Sequence, residues 1–101
     1  MEDSLTIDFL AFRLLSVFFL MLGIQDIGGF GDMKDHGPHR VYSKGVPVDV
    51  DMDEADIDKM KCMMEQLLHG VNQVSKFEFQ MYDIEFYKND SGGTVYASIY
   101  N

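Results

Sequence analysis

Three histidines, one cysteine and a run of alternating aspartates are the side chains of this 101-residue chain whose types and spacing could support chemistry. His36 and His39 bracket Gly37-Pro38 in the run His-Gly-Pro-His-Arg. Two imidazoles and a carboxylate can hold a divalent metal, but two histidines in a glycine-containing loop are far more often solvated, and no metal site is read. His69, near the end of a helical pattern, reads as a partner for the last helical carbonyls. Cys62 sits among apolar helical neighbours with no activating group beside it, so a buried, inert thiol is expected. Asp49, Asp51 and Asp53 share the opening spacing of a calcium-binding EF-hand loop, which needs Gly at its sixth position and Glu at its twelfth. Those positions hold Glu54 and Met60. Ser91 lacks the flanking glycine pattern of a nucleophile elbow, and Gly28-Gly29-Phe30-Gly31 is not followed by the Gly-Lys-Ser/Thr of a phosphate loop. The reading is that of a non-enzyme without a cofactor.

The formal net charge is −9, from 17 acidic and 8 basic side chains. Binding to phosphate backbones needs clustered Lys and Arg, so nucleic acid is excluded as a partner class, and anionic membrane surfaces are disfavoured for the same reason. Self-repulsion that keeps the chain soluble is the plain reading of the charge, with attraction to a basic partner or to cations as the alternative. A single cysteine permits no intramolecular disulfide, which fits a reducing compartment and favours a cytoplasmic setting over a secreted or membrane-associated one.

The elements that must position these side chains fall into three stretches. Residues 1–24 are read as an apolar N-terminal helix or anchor: positions 9–24, FLAFRLLSVFFLMLGI, are apolar on nearly every face and broken only by Arg13 and Ser16. Such a helix is buried in protein or in lipid. It is shorter than the roughly 20 residues that span a bilayer, and Glu2, Asp3 and Asp8 stand where a signal peptide is basic. A helix packed on the domain, a signal or membrane anchor, and a partly disordered extension all stay open. Residues 25–45, with five glycines and Pro38, read as a Gly-rich loop. Residues 46–101 hold the remaining structure. Positions 46–52 alternate as a short extended segment in which Pro47 allows an edge strand or none. A helix follows over 54–69, with Ile57, Met60, Met64, Leu67 and Leu68 at helical spacing, an N-cap at Asp51 or Asp53 and Gly70 as its stop. Residues 77–87 read as one strand whose apolar phase slips at Tyr82-Asp83, the mark of a β-bulge. A turn over 88–93 leads to a strand over 94–100, where Val95, Ala97 and Ile99 face one way and Tyr96, Ser98 and Tyr100 the other.

Helix, bent strand and hairpin in this order resemble the cystatin/monellin superfamily, closest to plant cystatin-related proteins. Gly28-Gly29-Phe30-Gly31-Asp32 is similar to the glycine-rich start of plant cystatins, Asn72-Gln73-Val74-Ser75-Lys76-Phe77-Glu78-Phe79 to their passage from helix to strand, and Ser91-Gly92-Gly93-Thr94-Val95-Tyr96-Ala97-Ser98-Ile99 to their following strand. The resemblance covers roughly residues 26–101. It implies an α+β fold, a cystatin-like helix on a small antiparallel sheet, shortened at the C-terminus and carrying an extra N-terminal apolar helix. Family inhibitors wedge three loops into a papain-like protease cleft, and the resemblance marks Gly28, Gly29, Asn89, Asp90, Ser91, Gly92 and Gly93 as protease-contact candidates. The first hairpin lacks the family's Gln-x-Val-x-Gly, and no Trp exists for a Pro-Trp loop.

The function expected from these features is a non-enzymatic interaction protein with an incomplete inhibitory wedge. A weak inhibitor of papain-like cysteine proteases is the second reading, and a small protein tethered to a membrane by residues 9–24 the third. The strand over 94–100 has an unpaired edge unless the segment over 46–52 or a second chain covers it, and in the latter case two chains would pair as a homodimer through that edge or swap the hairpin.

Overall fold

Six elements follow one another in the computed structural model, which describes residues 2–25 and 30–101: α1 (Glu2–Met21), β1 (Phe30–His36), β2 (His39–Val48), α2 (Glu54–Val74), β3 (Gln80–Asn89) and β4 (Gly92–Tyr100). The strands form one antiparallel sheet in the order β1-β2-β4-β3. The architecture is α+β, and it contains the same unit twice: a helix followed by a hairpin. The second strands of the two units, β2 and β4, pair with each other at the centre, from Val41 opposite Tyr100 to Val48 opposite Gly93.

Both helices lie on one face. α1 buries Ile7, Ala11, Leu14, Leu15, Phe18 and Phe19, and α2 buries Met60, Met64 and Leu68. They close over Tyr42, Val46, Ile84, Val95, Ala97 and Ile99 of the sheet. α1 is therefore part of the domain core, the packed-helix alternative, and not an appendage. No helix among the described residues is long and apolar enough to cross a membrane. A carboxylate fastens α1 to the sheet: Asp8 Oδ1 accepts from Tyr42 Oη at 2.7 Å and from Arg40 Nη1 at 3.0 Å.

Several expectations need correction. Within residues 25–45, Phe30–His36 and the first part of His39–Val48 are strand rather than loop, and a domain boundary at 45/46 would cut β2. The described glycines of this stretch lie in a hairpin. Gly37, at φ +62, and Pro38 make the two-residue turn between His36 and His39, the place where a II′ turn puts glycine first. Gly31 sits inside β1 because a Cβ there would meet the Phe12 ring at 2.8 Å. Pro47 lies in an inner strand, opposite Thr94 of β4, and not in an edge strand as its residue type suggests. The strand over 94–100 has no free edge, since β2 pairs with it on one side and β3 on the other, which leaves no edge there for a second chain.

α2 runs through Gly70 to Val74, because nothing there demands a positive φ. Its start is the Asp53–Asp56 box: Asp53 Oδ1 accepts from the Asp56 amide at 2.9 Å, and Asp56 Oδ2 accepts from the Asp53 amide at 3.0 Å. The bulge falls where the phase slips, with Met81 opposite Ile99, Asp83 opposite Ser98 and Tyr82 extra. β3 starts at Gln80, three residues later than the pattern predicts. Asn72 on α2 explains the delay: its amide donates to the Phe79 carbonyl at 2.7 Å and accepts from the Phe79 N–H at 2.8 Å, satisfying the backbone that a strand neighbour would otherwise take.

Candidate functional site

Strand alternation sends every second side chain away from the helices. On β4 these are Thr94, Tyr96, Ser98 and Tyr100, opposite Pro47, Gly45, Ser43 and Val41 of β2. On β3 they include Glu85 and Tyr87, and the bulge turns Tyr82 to the same side, where it lines a depression with Tyr96, Val41 and Ser43. Neither helix covers this face.

The face is hollow and aromatic. His36 on β1 and Tyr82 on β3 belong to the two outermost strands, three strand spacings or roughly 14 Å apart, yet their ring centroids are 6.2 Å apart. Side chains reaching inward over the central strands close that gap, and the bulge at Tyr82 re-aims its ring. Tyr82 also meets Tyr100 at 6.1 Å, and Tyr100 meets His39 at 4.8 Å. Farther along, Tyr87 and Tyr96 form an edge-to-face pair at 5.4 Å. Two depressions of about 630 and 310 Å³ meet at Ser43 and Tyr96.

Polar bonds fix the rings. Ser43 and Ser98 share a hydrogen bond of 2.7 Å across β2 and β4. Tyr100 Oη donates to Gln80 Oε1 at 3.0 Å. Tyr87 Oη donates to Glu85, and that bond, with the carboxylate's charge, holds the phenol above its ordinary pKa. Burial alone would push the Asp83 carboxyl up, but the Glu85 side chain, the Ile84 amide and the Lys61 ammonium, 3.5 Å away, together hold it below the usual range. The result is a surface of phenol rings edged by Glu85 and Asp32 and by Lys88 and Lys34, whose ring faces suit aliphatic, guanidinium or ammonium groups.

A second hollow, a cleft of about 990 Å³, lies where residues 22–25, the end of β2, its connection to α2, the first turns of α2 and the β3–β4 turn meet. It gathers Asn89, Ser91 and Gly93 beside Gln25; Gly28 and Gly29 lie outside the described residues. Asn89, Asp90 and Ser91 are exposed at the tip, and Asn89 Oδ1 accepts from the Ser91 amide at 3.0 Å. Gly92 and Gly93 are buried, and Gly93 also lines the cleft. Gly92 takes φ +123, and a Cβ on it would overlap the Val48 carbonyl; one on Gly93 would overlap the Tyr87 carbonyl. Gly92 thus lets the end of β2 pack closely on the turn, and Gly93 lets the two arms of the hairpin do so.

The other chemistry-bearing side chains are dispersed. His36 and His39 face each other across the hairpin turn, each beside a different tyrosine. His69 Nε2 pairs with Gln73 Nε2 at 2.9 Å instead of with helix-end carbonyls, since α2 continues past it. Cys62 is exposed rather than buried, with only Gln66 Nε2 near its Sγ at 3.7 Å, because it lies on the water side of α2 between the buried Met60 and Met64. Among the described residues no group of three His, Cys, Asp or Glu could hold a metal ion. No motif marks the tyrosine surface, although the alternation of Tyr96, Ser98 and Tyr100 against Val95, Ala97 and Ile99 carries it. No family model matches this chain, and comparison with curated proteins and with solved structures found no match.

Proposed function

We propose that this chain is a non-enzymatic protein-interaction module of cystatin-like type that binds an extended, basic peptide segment on the open face of its sheet. The observation that carries the reading is the uncovered aromatic hollow, bridged from β1 to β3 by His36, Tyr82, Tyr100 and His39. Arg and Lys side chains suit it because their stems lie along rings while their heads reach Glu85 and the surrounding field of a −9 chain.

The chain reports on this site by itself. It has no Trp, and four of its five tyrosines (Tyr82, Tyr87, Tyr96 and Tyr100) line the open face. Titration with Arg-rich extended peptides should change tyrosine fluorescence saturably, with affinity falling as salt rises. Glu-rich peptides of equal length should leave it unchanged, and Tyr82→Ala should weaken binding about tenfold or more, as loss of a central aromatic anchor does. Equal responses to both peptide classes would sink the reading.

A second reading, weak inhibition of papain-like cysteine proteases, is supported by the convergence of Gln25 and the exposed tip residues on one cleft. Competitive inhibition of papain that disappears in Asp90→Ala and Ser91→Ala, while Tyr82→Ala retains it, would favour the cleft over the sheet face.

A further inference from the structure

α1 has a second stripe besides the one that holds it to the sheet. Its inward positions are filled by the six buried residues of the core, yet four of the eight exposed large hydrophobic residues among those described also lie on this helix: Phe9 at 68% exposure, Leu20 at 73%, Met21 at 52% and Val17 at 38%. The outward seam is Thr6, Phe9, Arg13, Ser16 and Leu20, spaced by three, four, three and four residues. That is the a/d spacing by which one helix packs along another.

We propose that a second copy of this chain docks on this stripe, α1 against α1, antiparallel about a twofold axis that passes between Leu14 and Leu15. The seam is self-complementary in that register. Phe9 of each copy meets Leu20 of the other, and Arg13 meets Ser16, whose hydroxyl oxygen accepts from the guanidinium. Such pairing of one patch with itself is what a twofold interface requires. A parallel arrangement would instead oppose Arg13 to Arg13. The guanidinium is 5.9 Å from the ring centroid of Phe9 in its own chain, directed along the helix away from the axis, so the two arginines are held apart.

Charge points to the same occupant. Each copy carries −9, and two such chains repel through most of their surfaces. From Phe9 to Met21 α1 holds no carboxylate, and Arg13 is its one charge. The nearest acid, Asp8, is turned to the sheet and held by Arg40 and Tyr42. The seam thus offers each acidic body a positive group and an apolar surface. Phe9 and Leu20, with Val17 beside them, form the apolar part of the seam, so the buried area lies below about 1,200 Å², the lower end of specific interfaces. The dimer is therefore a weak one, and the open face of the sheet, on the other side of the molecule, stays free in both copies.

Sedimentation equilibrium from low to high micromolar concentration tests this. The wild-type mass should rise twofold with concentration, and added salt should favour the dimer by screening net repulsion. Leu20→Glu, at an exposed position that leaves the fold unaltered by circular dichroism, should stay monomeric throughout. In a Cys62→Ser background, oxidising a mixture of Arg13→Cys and Ser16→Cys chains should yield the mixed disulfide in preference to either like pair. A monomer at every concentration, a Leu20→Glu dimer, or a preference for like disulfides would overturn the proposal. So would a wild-type monomer that floats with neutral phosphatidylcholine vesicles through Phe9 and Leu20, which would reassign the stripe to a membrane surface.

Discussion

The two helix–hairpin units use the same element order on the same sheet, yet their helices meet opposite surroundings. α1, 20 residues long, buries six side chains and still turns Phe9, Leu20 and Met21 outward. α2, 21 residues long, buries three and turns mostly charged and amide groups to water. α2 is an ordinary amphipathic surface helix, defined by its capping box and a narrow apolar stripe. α1 has more apolar surface than the sheet covers, and its outer stripe is where docking of a second copy is proposed. Similar topology does not make equivalent surfaces: burial on one side of a helix says nothing of what its other side is for.

The largest effect should come from emptying the α1 side of the core. Phe18 and Met64 are both fully buried, one on each helix. Phe18→Ala should destabilise the fold by about 3–5 kcal/mol, and Met64→Ala by about 2–5 kcal/mol, toward the lower end because flexible methionine neighbours can close the gap. Urea unfolding of both variants measures the difference. Equal losses would break the contrast between the helices.

A smaller effect should come from the carboxylate clamp between α1 and the sheet. Tyr42→Phe removes the hydroxyl that donates to Asp8 and leaves Arg40 in place, which should lower stability by about 1–3 kcal/mol, as for a hydrogen bond to a charged group. Burial, followed by the hydrogen bond to Asp8, pushes the Tyr42 phenol from 10.0 to about 12. Because the folded value is raised, the neutral phenol's contribution is fully present below pH 10 and is lost as pH rises from there to about 12. Ultraviolet titration should show Tyr42 ionising late, in addition to the upward shift of Tyr87, and Tyr42→Phe should remove the Tyr42 step along with the loss of stability it marks.

The smallest effect should be a gain. Gly70 lies inside α2, with open space where an alanine methyl would sit. Gly70→Ala should stabilise the fold by about 0.5–1 kcal/mol, the penalty of glycine in a helix interior. A loss on thermal unfolding would mean that α2 does break at Gly70, as the sequence pattern predicts.

That misjudged stop shows what kind of information the chain carries locally. The α2 start at Asp53, its apolar stripe, the bulge at Tyr82-Asp83 and the alternation of β4 are all legible, because each depends on residues within a few positions of one another. The glycines are the hard cases. Gly37 with Pro38 marks a turn and Gly31 marks a close approach of Phe12, but residue type alone presents both as loop. Gly92 and Gly93 read as an exposed tip, and only the end of β2 and the hairpin arms packed around them show that they are buried. The tyrosine surface is half legible: alternation separates Tyr96 and Tyr100 from the core, while their convergence with His36 and His39 depends on β1.

By itself, the sequence determined the helix and strand periods, the acidic surface and the one strongly apolar segment, since these follow from side-chain chemistry and near-neighbour backbone sterics. The tertiary structure decided that β2 enters between β1 and β4, that the last strand is therefore interior, and that the aromatic side chains of the open face converge. Those outcomes depend on pairing between segments more than 50 residues apart, such as Ser43 with Ser98. No local pattern encodes that choice; it is made when both helices must bury their apolar faces on one sheet.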